Sequence, residues 1–235
     1  MCGAASGAAP ICHACYLDLP VAPQACCPRC ALAAGDGALC GRCLASPPAY
    51  DASYAPFAYA FPLDQLLLRL KFGGALGLAP WFAAHMAAVA PARVADCVVV
   101  VPSGRQRLRE RGYNQALELA KPLARRLRLP LLRHAIARRG EGVPQSRLPY
   151  KERRRNVRGV FQVVAELTGR RVLVIDDVMT TGATLDELAL QLKAAGAIAV
   201  TNLVAARTPS SAHRGADWLS ATGPSVPGRI RPDPH

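Results

Sequence analysis

The sequence has no apolar run long enough to cross a bilayer. A membrane-spanning helix takes about 20 consecutive apolar residues, and no apolar run in this chain approaches that length. The N-terminus has neither a basic start nor an apolar core segment, so it lacks the pattern of a secretory signal. Together these absences predict a cytoplasmic protein with no membrane insertion.

Acidic and aromatic residues are both scarce. Lys and Arg total 29 against 16 Asp and Glu, which gives a formal net charge of +13 at pH 7. This excess predicts an acidic partner, such as a polyphosphate, a nucleic acid or an anionic surface. Aromatic residues make up 6% of the chain, so a platform for stacking bases is weakly supported.

Two common phosphate-binding motifs are also missing, because no G-x-G-x-x-G follows a strand and no G-x-x-x-x-G-K-[ST] occurs. Instead, the chain contains the stretch VLVIDDVMTTGATLDELALQL from Val172 to Leu192. Its first four residues predict a strand buried on both faces of a parallel sheet. A helical pattern follows, and Thr184 with Glu187 has the spacing of a capping box, which predicts a helix start at Thr184.

The turn between this strand and this helix has the features of a phosphate site. A helix N-terminus offers unpaired N–H groups and the positive end of a dipole, and hydroxyls add further donors. The predicted cradle is Thr180, Thr181, Gly182, Ala183 and Thr184. Asp176 and Asp177 precede it, as acceptors for sugar hydroxyls or ligands for a hard cation. The combination suits a ribose 5-phosphate, provided that the chain leaves the strand near Asp176, since successive strand residues point to opposite faces.

VLVIDDVMTTGAT resembles the phosphoribosyl-diphosphate (PRPP) motif of the type I phosphoribosyltransferases. The resemblance implies that Asp176 and Asp177 hold the ribose hydroxyls, and that residues 180–184 hold the 5-phosphate. A second buried strand, Cys97 to Val101, leads to Ser103, Gly104, Arg105 and Arg107 at the same edge of the sheet, where α/β proteins bind ligands. These residues, together with Mg²⁺, are the candidates for the diphosphate.

Most of the nine cysteines occur as C-x-x-C pairs near the N-terminus, which favours zinc in a reducing compartment over disulfides. The candidate metal ligands are Cys12, Cys15, Cys27, Cys30, Cys40 and Cys43. The last four have the spacing of a zinc ribbon. Cys2 has no partner at this spacing, which suggests that the native chain begins upstream with another cysteine three residues before it.

The cysteine pairs, the string RLRERGYNQALELA and the PRPP motif together resemble the ComF family, which includes the gluconate-linked GntX proteins. A further segment agrees with this family: Gln145, Arg154, Asn156, Gly159 and Phe161. The resemblance implies an α/β chain with the type I phosphoribosyltransferase fold, a Rossmann-like, mostly parallel sheet flanked by helices, and a small N-terminal double zinc ribbon. The predicted divisions are a zinc ribbon (1–46), a phosphoribosyltransferase-like domain (47–208) and a disordered tail (209–235).

Three functions follow from these features. The first is a PRPP-dependent phosphoribosyltransferase of unknown acceptor, with basic residues 138–158 as a flap over the diphosphate. The second starts from the association of the ComF family with natural transformation. It is a protein that binds single-stranded DNA or the DNA-uptake machinery and uses the PRPP site as a sensor. The third is a scaffold with a vestigial site, against which the intact Asp176–Asp177 pair argues.

Overall fold

The computed structural model of the chain describes residues 2, 9–139 and 159–210. Its centre is a parallel sheet of five strands, in which β1, β7, β6 and β3 lie side by side and β2 also pairs with β7. These strands are β1 (Ala52–Tyr54), β2 (Phe57–Ala58), β3 (Cys97–Val100), β6 (Arg171–Met179) and β7 (Ala199–Arg207). A separate antiparallel pair consists of β4 (Ile136–Arg138) and β5 (Phe161–Val163). The parallel sheet confirms the predicted fold class.

Helices and the cysteine-rich segment cover both faces of the sheet. The helices are α1 (His13–Leu17), α2 (Gly41–Ala45), α3 (Leu63–Phe72), α4 (Leu78–Val89), α5 (Arg105–Arg111), α6 (Gln115–Leu127) and α7 (Ala183–Ala194). One face packs against α3, α4 and α6, whose buried leucines and alanines share a core with alternate residues of β6. The other face packs against α7, the β4–β5 pair and the buried cysteines.

The central strand β6 is longer than the sequence predicts. Val172 to Ile175 are completely buried, as expected for a strand covered on both faces. Pairing with β7 does not stop at Asp176 but continues to Met179, which pairs with Arg207. The chain therefore does not leave the strand near Asp176, which was the stated condition for both carboxylates to face one ligand.

The start of α7 also differs from the prediction. The helix begins at Ala183 with Gly182 as its N-cap, and the Ala183 N–H donates to Oγ1 of Thr181 at 3.2 Å. Glu187 does not form the capping box, because its carboxylate is buried and accepts hydrogen bonds from the Gly159 N–H and from the side chain of Gln191. The N-terminal amides of α7 therefore remain uncapped by Thr184 and Glu187.

The string RGYNQ forms the junction between α5 and α6. The segment Arg105 to Arg111, expected as a basic loop, is helical and ends at Gly112, whose φ of 77° favours glycine. Asn114 caps α6 by accepting from the Ala116 N–H at 3.0 Å, and its amide donates to the Val101 carbonyl at 3.0 Å. This side chain thus fixes α6 to the end of the central sheet.

The cysteine-rich segment packs directly on the sheet. Cys27, Cys30 and Cys43 are buried in the same core as Leu185 and Val204. Backbone hydrogen bonds cross from this segment to the strands, for example from the Ala58 N–H to the Pro20 carbonyl at 2.8 Å. Among the described residues, no helix combines the length and the apolarity needed to cross a membrane.

Candidate ribose-phosphate site and cysteine centre

The carboxyl edge of the sheet brings together the two segments that were predicted to bind one ligand. Strands β3 and β6 are neighbours in register, with Val100 opposite Ile175. The turn through Ser103 and Gly104 therefore begins beside Asp176. The parallel order of the sheet places all of these side chains at one edge.

The acid pair interrupts the regular alternation of β6. Ile175 and Val178 both pack on the sheet face that carries α3 and α6, whereas Met179 packs on the face that carries α7. The alternation of side chains between the two faces of the sheet is therefore broken at Asp176 and Asp177. Each carboxylate accepts a hydrogen bond from the next backbone N–H, at 2.9 Å for Asp176 and 2.6 Å for Asp177. Sheet pairing thus continues while the two acidic side chains depart from strict alternation.

Lys71, at the end of α3, contacts the acid pair. Its Nζ lies 3.1 Å from Oδ2 of Asp177, and both side chains are mostly shielded from water. The end of α3 is held in place by the Tyr113 hydroxyl, which donates to the Leu70 carbonyl at 2.5 Å. A fixed cation is therefore provided at the position where a sugar hydroxyl or a metal ion would meet the carboxylates.

The two carboxylates have different electrostatic surroundings. Burial and the neighbouring charge of Asp177 raise the pKa of Asp176 to about 7, although Lys71 and Arg107 oppose this rise. A proton shared between adjacent carboxylates belongs to the pair. Without a ligand, the pair of Asp176 and Asp177 should therefore lose a proton near neutral pH.

The turn after β6 is shaped around Gly182. Its φ is 81°, and a Cβ there would lie 2.8 Å from Met179 Cε and 2.9 Å from the Tyr50 hydroxyl. Thr181 Oγ1 accepts from the Ala183 N–H at 3.2 Å, while Thr180 is exposed. Thr184 lies in the first turn of α7. All five predicted cradle residues therefore lie at the turn into α7 or in its first turn.

Several arginines line the other side of this edge. Arg105 is exposed and Arg107 is half-buried. Arg138 lies against Gly104 and over the ring of Phe161, and its buried Nε has no hydrogen-bond partner among the residues that the structure describes. Burial and the charge of Arg107 lower the pKa of Arg138. The predicted flap continues through residues 140–158, which lie outside the described residues.

Four cysteines form one compact group, as the spacing predicts. The sulfurs of Cys27, Cys30, Cys40 and Cys43 lie within 4.8 Å of one another, and those of Cys30 and Cys40 are 3.6 Å apart. Four sulfurs at a Zn–S distance of about 2.3 Å around a tetrahedral ion would be about 3.8 Å apart. The group is therefore well matched to a structural zinc ion.

Backbone donors support this assignment. Burial alone would raise the pKa of Cys27, but the backbone N–H groups of Cys40, Cys30 and Arg29 donate to its sulfur, and the resulting pKa is about 7. The neighbouring Cys26 differs, because its thiol donates to the Pro23 carbonyl at 3.0 Å and burial raises its pKa to about 11. Cys26 lies outside the four-cysteine group, in agreement with the spacing argument.

A second group contains a residue that the spacing argument left unassigned. Cys2, Cys12 and Cys15 have sulfurs within 4.8 Å of one another, and Cys2 lies 3.4 Å from each of the other two sulfurs. The structure thus joins Cys2 to the predicted ligands Cys12 and Cys15. Three thiolates supply all but one ligand of a tetrahedral zinc site.

Sequence reasoning missed two side chains around the site, Lys71 and Arg207, whereas Arg138 was included in the predicted flap. Lys71 ends an amphipathic helix and Arg207 ends a buried strand, so neither has a motif of its own. The one available signal for Arg207 was its charge at the end of a strand that has no other charged residue. Their positions depend on how separate elements pack.

Comparison with known proteins agrees with the geometry. The phosphoribosyl transferase domain family matches residues 113–218. DNA utilization protein YhgH of Escherichia coli (strain K12) is 34% identical over 182 residues, covering 74% of this chain and 80% of that protein. Competence protein F of Haemophilus influenzae is 33% identical over 167 residues, covering 67% of this chain and 73% of that protein.

Solved structures show weaker similarity. A purine phosphoribosyltransferase from Pyrococcus horikoshii is 18% identical with a TM-score of 0.32, covering 56% of this chain and 72% of that one. TT1426 from Thermus thermophilus is 21% identical with a TM-score of 0.35, covering 66% and 86%. The family of this chain is shown by its curated relatives, together with the domain match and the cysteine groups. By these criteria, the chain belongs to the ComF family and carries a phosphoribosyl transferase domain.

Proposed function

We propose that the chain binds PRPP at the carboxyl edge of its sheet and acts as a phosphoribosyltransferase on an acceptor still to be identified. The observation that carries this proposal is the acid pair near the carboxyl end of β6, followed within a few residues by the glycine-centred turn and the N-terminus of α7. A helix N-terminus binds phosphate through its free amides. Adjacent carboxylates bind the ribose diol.

Each part of the ligand has a matching group of residues. Residues 180–184 would hold the 5-phosphate, and Asp176 and Asp177 would accept hydrogen bonds from the ribose hydroxyls. Ser103, Gly104, Arg105 and Arg107 would hold the diphosphate, in agreement with their place beside β6. Mg²⁺ bound with the diphosphate would neutralise part of its charge.

The protein's contribution to such a transfer is positioning and electrostatic stabilisation. The bond between the sugar C1 and the diphosphate breaks through a cation-like sugar, so charge near the ring matters more than a strong base. Lys71 keeps Asp177 in place before the ligand binds, and ionised carboxylates would then stabilise positive charge on the sugar. The arginines would retain the leaving diphosphate.

The test is a calorimetric titration with PRPP, with and without Mg²⁺, followed by a diphosphate-release screen over candidate acceptors. Binding by the wild type and its loss in the variant Asp176→Asn/Asp177→Asn would support the site. Equal affinity of the two proteins would refute it. PRPP binding without diphosphate release for any acceptor would favour a sensor over a catalyst.

A second candidate function is binding of single-stranded DNA. It is favoured by the net charge of +13 and by the names of the relatives, DNA utilization protein YhgH and Competence protein F. Binding through phosphates should weaken with salt, with log K falling against log salt by about 0.7 for each contact. Arg105→Ala should flatten this slope, because the side chain is exposed at the carboxyl edge.

Competition between PRPP and DNA would show where the DNA binds. PRPP with Mg²⁺ should displace DNA if the phosphates occupy the same edge, and we expect displacement because Arg105, Arg107 and Arg138 converge there. A flat salt response at low micromolar protein would remove the nucleic-acid function and leave a small-molecule transferase.

We further propose that Cys27, Cys30, Cys40 and Cys43 hold a structural zinc ion, and that Cys2, Cys12 and Cys15 contribute to a second site. None of the nine cysteines, all of which the structure describes, is in a disulfide, so the sulfurs of the two groups are available to bind zinc as thiolates. Thiols persist in reducing compartments, which is the basis for proposing that the protein works in the cytoplasm.

A further inference from the structure

Arg207 connects the four-cysteine group to the turn that follows β6. Its side chain is only 4% exposed, although it carries a charge. Nε donates to the Cys30 carbonyl at 2.8 Å, in the knuckle of the cysteine group. Nη1 donates to the Met179 carbonyl at 2.8 Å and to the Thr180 carbonyl. A single guanidinium therefore holds the backbone of both sites.

The contacts with Met179 and Thr180 determine where the next amides point. In a trans peptide bond, the carbonyl and the following N–H point in opposite directions. Since both carbonyls point at Arg207, the N–H groups of Thr180 and Thr181 point away from it. These amides belong to the cradle assigned to the 5-phosphate, so Arg207 sets the direction of two of its donors.

The burial of Arg207 requires compensation. Among the residues that the structure describes, no carboxylate forms an ion pair with it, and its partners are backbone carbonyls. Burying an unpaired charge is costly. Zinc bound by four thiolates would carry about two net negative charges beside the guanidinium. A metal-thiolate centre at Cys30 would therefore stabilise the buried cation.

We propose that Arg207 is a positioning residue that couples the four-cysteine zinc site to the 5-phosphate cradle. The inference rests on the proposed binding of PRPP. Zinc bound to the Cys30 sulfur would fix the position of the Cys30 carbonyl and offset the charge of Arg207. Arg207 in turn holds the Met179 and Thr180 carbonyls, which orient the cradle amides. Zinc and PRPP then stabilise each other's sites, although they do not touch. Because such coupling is reciprocal, each ligand must strengthen binding of the other by the same factor.

The first measurement uses the full-length chain with the single substitution Cys15→Ser. A zinc-selective chelator is titrated with and without saturating PRPP–Mg²⁺, in a Cys15→Ser background that removes the signal of the three-cysteine group. PRPP should raise the chelator concentration that withdraws half of the zinc by about fivefold or more, the usual lower range of allosteric coupling. An unchanged midpoint, in a protein that binds PRPP by calorimetry, would overturn the inference.

The second measurement tests Arg207 itself. Arg207→Lys keeps the charge, but an ammonium on a single carbon chain cannot span carbonyls on both sides as the planar guanidinium does. We expect PRPP affinity to fall about tenfold and the chelator shift to disappear. The matched control is Arg171→Lys, because Arg171 pairs with Asp96 at the opposite end of β6 and is partly exposed. This control should keep both the affinity and the shift.

The outcomes separate the two proposals. If the wild type binds no PRPP, the proposed function fails and the inference with it. If the wild type binds PRPP but Arg207→Lys binds it equally well, only the inference fails. A purely structural role would lower the melting temperature of Arg207→Lys yet leave the PRPP-dependent chelator shift intact, and that result would also overturn the coupling.

Discussion

PRPP affinity should depend on pH through Asp176. In the free protein, burial and the charge of Asp177 raise the pKa of Asp176 to about 7. In the proposed pose the ribose hydroxyls donate to the ionised carboxylate, so binding would release the proton wherever Asp176 is protonated. Affinity should be at its plateau above pH 7 and fall by about tenfold for each pH unit below it, as one proton requires.

Two variants isolate this effect. Asp176→Asn should bind weakly and lose this part of the pH dependence, because the titrating group is gone. Lys71→Met should move the midpoint to higher pH, since the positive charge of Lys71 lowers the pKa of Asp176 in the wild type. Titration of the phosphates of PRPP contributes equally to all three proteins and therefore cancels in the comparison.

The same pKa has a consequence for stability with a definite sign. A carboxyl whose pKa is raised by folding favours the folded state at low pH, and this contribution is lost as pH rises through the folded pKa. Asp176→Asn should therefore stabilise the free protein above pH 7 by about 1 kcal/mol, or about 2–4 °C in melting temperature, and change little at pH 5. The effect on the free energy of unfolding is this small because Asp176 is only partly shielded from water.

The assay is calorimetry from pH 5.5 to 8.5 at constant ionic strength, with thermal melts of the free proteins in parallel. A wild-type affinity that stays level below pH 7, or a midpoint that does not move in Lys71→Met, would refute the assigned protonation of the acid pair. Destabilisation by Asp176→Asn at pH 8 would show that the carboxylate has a partner not accounted for.

Asp177→Asn should weaken PRPP by about tenfold to a hundredfold, since hydrogen bonds to a charged group contribute about 1.5–3 kcal/mol, and calorimetric affinity equal to wild type would contradict this. Elemental analysis should find one or two zinc ions per chain. Cys27→Ser should lose more metal than Cys26→Ser. A folded N-terminus in the metal-free protein would refute a structural role for zinc. Gly182→Ala should abolish PRPP binding, because its Cβ would lie within 3 Å of two side chains. Gly169→Ala, with a similar positive φ but open space, is its control and should change only the melting temperature.

Much of the local structure could be predicted because it depends on short-range patterns. The buried run from Val172 to Ile175 predicted the central strand. The grouping of four cysteines followed from their spacing. The resemblance to the ComF family added the fold class, which the parallel sheet and the relatives confirm. The individual site residues stay predictions.

The errors arose where a local pattern competes with tertiary contacts. Thr184 and Glu187 have capping-box spacing, but Glu187 is drawn into the core by the Gly159 N–H and the side chain of Gln191. The two carboxylates were expected to face one ligand only if the chain left the strand near Asp176, but β7 pairs with this strand as far as Met179. In both places, a partner that is remote in sequence decides the outcome.

The sequence alone determined the strand, the turn and the cysteine knuckles, because hydrophobic periodicity, glycine conformation and ligand spacing operate within a few residues. Only the tertiary structure decided that Lys71 contacts Asp177, that Cys2 joins Cys12 and Cys15, and that Arg207 bridges the cysteine group and the phosphate turn. Such contacts depend on the packing of elements far apart in the chain. Hydrophobic periodicity in the sequence does not predict which distant backbone carbonyl a buried guanidinium will contact.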